Sequence, residues 1–299
     1  MRRLLKWAGI VVGGLVGLII VAVLVLYLLG SRRVSKNYEF QVEAVQVPTG
    51  AAAIVRGRHL IDSIGLCAAC HEDNLAGDII EDDALFGTIV AANLTSGKGG
   101  IDGTYNDADY VRAIRHGVAG DGESVVTMPS QYFNRLGDAD LGSMIAYLKT
   151  LPPVDNELPG TNLGPLGRII TLLDSVLLPA TEIDHEAPRP PEPAPGVTVD
   201  YGEYLATVCT ACHGDNLSGG AVPGESADAP LARNLTPGGA LNEWSEADFS
   251  KALRTGATPG GGRLDDEYMP WDHFANMTDD EVEAVWLFLK SLPARGFEE

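Results

Sequence analysis

The stretch Cys67-Ala68-Ala69-Cys70-His71 recurs as Cys209-Thr210-Ala211-Cys212-His213, and together they hold all four cysteines of a 299-residue chain. Thiols three positions apart lie on one face of a helical turn, where both can add to the vinyl groups of one porphyrin. The histidine that follows directly is placed to bind the iron from one side. This is the signature of covalent c-type haem attachment, and two copies predict two covalently bound haems c. One is expected on Cys67, Cys70 and His71, the other on Cys209, Cys212 and His213. A zinc site, a redox dithiol and plain disulfides are the competing readings of Cys-x-x-Cys. Zinc draws four ligands from paired motifs, and a thioredoxin-like dithiol sits in a βαβ context that is absent here. Disulfides leave the two histidines unexplained.

The repetition extends well past the cysteines. His71-Glu72-Asp73-Asn74-Leu75-Ala76-Gly77 matches His213-Gly214-Asp215-Asn216-Leu217-Ser218-Gly219, and Asn93-Leu94-Thr95 matches Asn234-Leu235-Thr236. Ala108 through Arg115 to Gly117 matches Ala247 through Arg254 to Gly256, and Met128-Pro129 matches Met269-Pro270. Both copies close on Leu-Lys-Thr-Leu-Pro or Leu-Lys-Ser-Leu-Pro, and Cys67 to Met128 is 61 positions where Cys209 to Met269 is 60. A tandem duplication is the simplest account. Each copy reads as mostly helical. Ser245 is expected to cap a helix through Arg254, with Asp248 at its third position and Gly256 as its stop. Thr278 and Glu281 form a capping box for a last helix whose apolar face is Val282, Val285, Trp286 and Leu289. Leu141, Met144, Ile145 and Leu148 repeat that spacing, and the remaining segments read as Gly- and Pro-rich loops that wrap the porphyrin.

The second axial ligand follows from what is duplicated. Met128 and Met269 are the only equivalent methionines, each in a loop and followed by a proline that fixes non-helical backbone. Met144 lies on an apolar helix face and reads as core. Met277 has no counterpart, while His116 aligns with Thr255 and His273 with Tyr132. His/Met ligation of both irons is therefore expected. A soft thioether favours the ferrous state, and filling both axial positions points to electron transfer rather than catalysis. Asn93 and Asn234 are secondary candidates for hydrogen bonds within the haem loop, and Arg115 and Arg254 for pairing with haem propionates. The alternative is that these only stabilise the fold, which is the preferred reading for Tyr105 and Trp244. His59, His116, His185 and His273 read as unpaired surface or core histidines.

Residues 1–36 carry six basic residues and no acid, and Trp7 to Gly30 is an uncharged apolar run long enough to cross a ~30 Å hydrocarbon core. It is too long for a signal-peptide core, and Gly30-Ser31-Arg32-Arg33 makes a poor cleavage site. An uncleaved single-pass anchor is expected. Flanking charges are balanced, so orientation rests on the haem signatures: covalent attachment in bacteria occurs outside the cytoplasmic membrane, which places the body in the periplasm. The formal net charge is −20, and beyond position 36 it is −26, because 15 basic residues face 41 acidic ones. Such a surface repels nucleic acid and suits a basic partner, or serves solubility. Between the repeats, 154–196 joins them. Leu163 to Leu178 is too apolar for a free linker and too short to span; it is expected to pack on the first repeat, with an interfacial helix as the alternative. Pro188 to Pro195 reads as extended and semi-rigid.

On these features the sequence resembles the class I cytochrome c family in its tandem dihaem, membrane-anchored form. It looks especially like the cytochrome c subunits of periplasmic alcohol, aldehyde and gluconate dehydrogenases, which commonly carry three haem modules where this chain has two. The resemblance implies an all-α fold: an anchor at 1–36, cytochrome c domains at 50–153 and 197–299, and the linker at 154–196. It implies a single-electron carrier without catalytic residues. Such a carrier runs between a donor dehydrogenase and a membrane acceptor, free or fixed in a larger complex. A dihaem peroxidase is the enzyme alternative, but it requires unlike domains and one haem with an open position.

Overall fold

The computed structural model describes residues 2–174, 176–226 and 228–297. Position 1 of the expected anchor, 175 of the linker, and 227, 298 and 299 of the expected second domain lie outside the described residues. The chain is mostly helical. Helix α1 (Arg2–Val34) is followed by irregular chain and then α2 (Ala51–Asp62), α3 (Ala68–His71), a hairpin of β1 (Asp78–Asp83) and β2 (Gly87–Ala91), α4 (Asp107–His116), α5 (Ser130–Phe133) and α6 (Asp138–Leu148). The connection carries β3 (Asn162–Leu163) and α7 (Pro165–Ile170). The rest of the chain holds α8 (Val199–Ala206), α9 (Thr210–His213), α10 (Glu246–Thr255), α11 (Trp271–Phe274) and α12 (Asp279–Ser291). The order α2 to α6 recurs as α8 to α12.

Local chemistry sets the helix ends. Ser245 caps α10 in a box with Asp248, and Gly256 ends it in the left-handed conformation. Asn106, Asp109 and Gly117 do the same for α4, and Thr278 with Glu281 for α12. Leu141, Met144, Ile145 and Leu148 of α6 are buried, as are Val282, Val285, Trp286 and Leu289 of α12. Each leading helix lies across its own closing helix at a glycine. A Cβ on Gly57 would lie 1.8 Å from the Ser143 carbonyl oxygen, and one on Gly202 would lie 1.9 Å from that of Ala284. Only a residue without a side chain permits backbones to approach this closely.

One loop expectation is corrected. Residues 78–91 form an antiparallel hairpin that β3 extends to three strands. Ile79, Ile80, Ile89 and Val90 supply β-branched residues, and the Asp83 carboxylate accepts from the Leu85 and Phe86 amides to turn the chain. In the second half, Pro223 and Pro230 fall in the equivalent stretch and remove ladder donors. Among its described residues only one isolated bridge forms there, Gly220 with Ala232.

The connection is packed rather than free. Leu163, Leu178 and Ala180 are buried, and the Thr127 amide donates to the Leu177 carbonyl at 3.1 Å. Its α7 also meets α1, where a Cβ on Gly30 would lie 2.0 Å from the Arg168 carbonyl oxygen. The irregular segment after α1, to which the sequence assigned no element, runs along the first half. Val42, Val45 and Val47 pack against its core, and the Tyr38 amide donates to the Gly122 carbonyl at 2.9 Å. Helix α1 is long and apolar enough to cross a membrane, and its large aliphatic side chains from Leu5 to Leu29 are exposed.

Gly202→Ala is expected to push α8 off α12 and cost about 3 kcal/mol, as overpacking a tight contact does. Denaturant unfolding followed by far-ultraviolet circular dichroism measures the loss, and an unchanged midpoint would refute the close-crossing account.

Candidate haem-binding sites

The two attachment motifs adopt one backbone. Cys67 precedes the turn α3 and Cys209 the turn α9, each of which ends on its histidine. The residue that follows, Glu72 in one and Gly214 in the other, has positive φ and turns the chain away. His71 Nδ1 lies 2.7 Å from the Ala92 carbonyl oxygen, and His213 Nδ1 lies 2.6 Å from that of Arg233. A carbonyl only accepts, so Nδ1 carries the proton in both rings and Nε2 is left with a free lone pair. That is the tautomer a metal-ligating imidazole requires, with its ring orientation fixed by the other nitrogen. Burial lowers the pKa of both histidines, against a smaller raising effect of the carbonyl bond, so the rings stay neutral. The sequence offered no sign of these carbonyl partners, because they are backbone atoms some 20 residues away.

Burial pushes the Cys67 and Cys209 thiols up to about 12, with the neighbouring Cys70 and Cys212 adding to it. Burial also raises Cys70 and Cys212. An activated redox dithiol has the opposite shift, so these are protonated thiols, of which Cys70 is exposed and the other three half-buried. None is joined in a disulfide. Met128 and Met269 are half-buried and pack against the core in the equivalent place, just before α5 and α11. Met144 and Met277 are buried core residues.

Asn93 and Asn234 are buried, each clamping the chain just beyond its closing helix. Asn93 Nδ2 donates to the Val154 carbonyl at 2.8 Å while its Oδ1 accepts from the Thr95 amide at 2.9 Å. Asn234 repeats this with the Arg295 carbonyl at 2.9 Å and the Thr236 amide at 2.8 Å. The arginines are taken up by the protein. Fully buried Arg115 pairs with Glu43 at 2.6 Å and Asp138 at 2.9 Å and donates to the Leu136 carbonyl. Arg254 donates to the Ala275 and Met277 carbonyls and pairs with Asp279. Both guanidiniums meet the start of the closing helix.

The histidines read as unpaired are corrected in part. His116 lies buried with Nε2 2.8 Å from Glu43 and Nδ1 3.1 Å from His185, and Phe40 stacks on His185 with ring centroids 4.4 Å apart. His59 Nε2 lies 2.7 Å from Glu281. These partners are remote in sequence, which hid them. The His59 pair belongs to a network that joins the two halves. Arg56 of α2 holds Asp140 of α6 at 2.9 and 3.0 Å and Glu281 of α12 at 2.9 Å, and donates to the Tyr201 hydroxyl at 2.9 Å. Tyr204 donates to Asp140 at 3.0 Å, and its hydroxyl accepts from the Gly137 amide at 3.1 Å. Asp140 and Glu281 hold the same position in their helices, so one guanidinium neutralises an equivalent buried acid from each half. Burial alone would raise Glu281, but bonds from His59, the Thr278 amide and Arg56 outweigh it and bring its pKa to about 2. Around this network, Tyr132 and Phe133 of α5 share a cleft with Leu205, Thr207 and Val208, directly before Cys209. Asn276, just past α11, donates to the Asp62 carbonyl at the end of α2. Each attachment segment thus sits against the segment after the other half's methionine.

Residues 199–293 match the Cytochrome c family. They form a cytochrome c domain. Such a domain carries covalently bound haem c, and His213 with its free Nε2 and the adjacent cysteines fit that group. The chain is 30% identical over 287 residues to the cytochrome c subunit of alcohol dehydrogenase (quinone) from Gluconacetobacter polyoxogenes, covering 83% of this chain and 58% of that protein. The fructose dehydrogenase cytochrome subunit of Gluconobacter japonicus is 28% identical over 272 residues, covering 83% and 55%. A diheme cytochrome c-type protein of Cereibacter sphaeroides is 27% identical over 279 residues, covering 82% and 87%. The chain therefore spans a little over half the length of the two dehydrogenase subunits. It spans most of the diheme protein.

Arg56→Met leaves two buried carboxylates without their common cation and is expected to cost about 3 kcal/mol in unfolding experiments. Because the Glu281 pKa lies below its ordinary value of 4.5, its stabilisation is full above that pH and is lost as pH falls towards about 2. Acid unfolding of Glu281→Gln should show a shallower slope across that window, and an unchanged slope would contradict the network's role.

Proposed function

We propose that the chain is a dihaem cytochrome c that passes single electrons at the outer face of a bacterial cytoplasmic membrane, from a dehydrogenase to a respiratory complex or oxidase. The observation that carries this reading is the duplicated histidine geometry: His71 and His213 each have Nδ1 committed to a backbone carbonyl and Nε2 free, next to an attachment pair. The domains are assigned to 50–153 and 197–299, joined by 154–196, with residues 1–36 as anchor and the haem-bearing body in the periplasm. The element order α2 to α6, repeated as α8 to α12, supports that division.

Haem iron, when bound, supplies one-electron chemistry by cycling between its ferrous and ferric states. The chain's own residues do the rest. Cys67, Cys70, Cys209 and Cys212 would hold the porphyrins by thioethers, and His71 and His213 would hold the irons through Nε2. Met128 and Met269 would hold the irons through sulfur, a soft donor that would raise the potentials and exclude oxygen and peroxide. Asn93 and Asn234 pin the surrounding loop to the closing segment. Trp271 Nε1, two positions past Met269, is buried without a protein acceptor and is available to a propionate. The Arg56 network ties one half to the other and would hold the two haem sites at one separation. The relatives' names support a dehydrogenase as the electron donor, with this chain as its electron-transfer subunit. The acidic body favours a partner with a basic face.

A pyridine haemochrome assay should give two haems c per chain, and a value of one would remove the dihaem reading. Met128→Leu and Met269→Leu are each expected to lower one midpoint potential and leave the other, with one haem turning high-spin in the absorption spectrum. Rapid peroxide turnover by the native protein would overturn the carrier assignment. Association with a co-purified dehydrogenase should weaken as salt rises, because exposed charges are screened beyond about 10 Å at 0.1 M.

A further inference from the structure

The connection between the halves presents a two-faced segment beside the exit of α1. Leu163 of β3, Gly167 of α7 and Thr171 just past α7 are buried against the first half. Leu166 of α7 and Leu173 in the turn that follows it are 44% and 86% exposed, and Ile170 between them is half-buried. Leu85, 62% exposed, adjoins Leu166: its carbonyl accepts from the Leu166 amide at 2.9 Å. Three large aliphatic side chains are thus in water on a body whose charge is otherwise strongly negative.

Their place in the fold says what covers them. The Arg168–Ile169 peptide packs on Gly30, the last residue of the uncharged run of α1. Arg33 reaches Thr181 further along the same connection at 3.3 Å. An uncharged run of ~36 Å overshoots a ~30 Å hydrocarbon core, so Gly30 falls at the headgroup boundary. Arg32, Arg33 and Lys36 follow it at headgroup level. We infer that Leu85, Leu166 and Leu173 insert into the outer leaflet beside α1, so that the body is docked on the lipid surface at a second point and held in one orientation. The apolar character and the continuity with the anchor fit a bilayer. Asp82, Asp83 and Asp174 flank the patch as closely as Arg168 does, so the contact is with the acyl chains rather than with anionic headgroups. The inference rests on the reading of α1 as a membrane span.

Site-directed spin labelling of the full chain in palmitoyl-oleoyl phosphatidylcholine nanodiscs tests it. The four native thiols are consumed as thioethers in the haem-loaded protein, so the unsubstituted chain should take no label. Single variants Leu173→Cys, Leu18→Cys and Glu246→Cys report the patch, the middle of α1 and the exposed start of α10. Power saturation with oxygen and a water-soluble nickel chelate gives the depth of each. The label at 173 should show an oxygen-to-nickel accessibility ratio several-fold above that at 246 and below that at 18. Equal ratios at 173 and 246, with 18 deep in the bilayer, would overturn the docking inference alone. A water-exposed label at 18 would overturn the anchor and the inference with it. A label at 173 shielded from both reagents would mean that protein, not lipid, covers the patch, which also overturns it. Leu173 is so exposed that its substitution leaves the packing intact, and an unaltered haem spectrum checks this.

Discussion

One helix crossing at glycine holds each half of the molecule together. Gly57 lets α2 rest on the backbone of α6, and Gly202 lets α8 rest on that of α12. A leading helix in this position delivers the attachment turn at its end, so the place of Cys67 or Cys209 is set by how closely two backbones meet. The closing helix contributes twice. Its apolar face completes the core, and its third residue, Asp140 or Glu281, faces Arg56 at the junction of the halves. Removing the glycine at either crossing would therefore disturb the core, the attachment turn and the junction together.

The junction has the pattern of a pseudo-symmetric contact in which one side has kept its ions and the other has not. Arg56 and His59 of α2 occupy the positions that Tyr201 and Tyr204 occupy in α8. All four point their polar ends at the paired acids. Buried ion pairs gain little net stability over apolar packing, but losing one partner is costly. Such a contact favours one arrangement of the halves over others rather than adding to overall stability. Under the proposed dihaem reading that is the relevant property, since electron transfer depends steeply on separation.

Much of this was legible in the sequence because its signals are local or repeated. The capping residues Ser245, Asp248 and Gly256, the box of Thr278 and Glu281, and the apolar spacing of both closing helices are short-range patterns, and each reappears at the same residues in the structure. The duplication pairs Met128 with Met269, and both lie at the same place in the repeat, just before α5 and α11. What stayed hidden involves either backbone atoms or remote partners. The carbonyls of Ala92 and Arg233 that orient the histidines carry no side-chain signature. The pairing of Glu43 with Arg115 and His116 joins irregular chain to α4, across more than 70 residues. The hairpin at 78–91 was hidden by its second-half equivalent, whose prolines made a shared loop the natural reading.

The irregular segment over 36–49 has a mechanical consequence. As free chain it would let the body wander about 20 Å from the end of α1, a leash on which a partner could be met in any orientation. Instead it is fastened along its length by Tyr38, Glu43 and three valines. Under the proposed anchoring, the body is mounted rather than leashed. It gives up the search volume of a tethered shuttle and offers one fixed landing face to whatever diffuses past in the plane of the membrane.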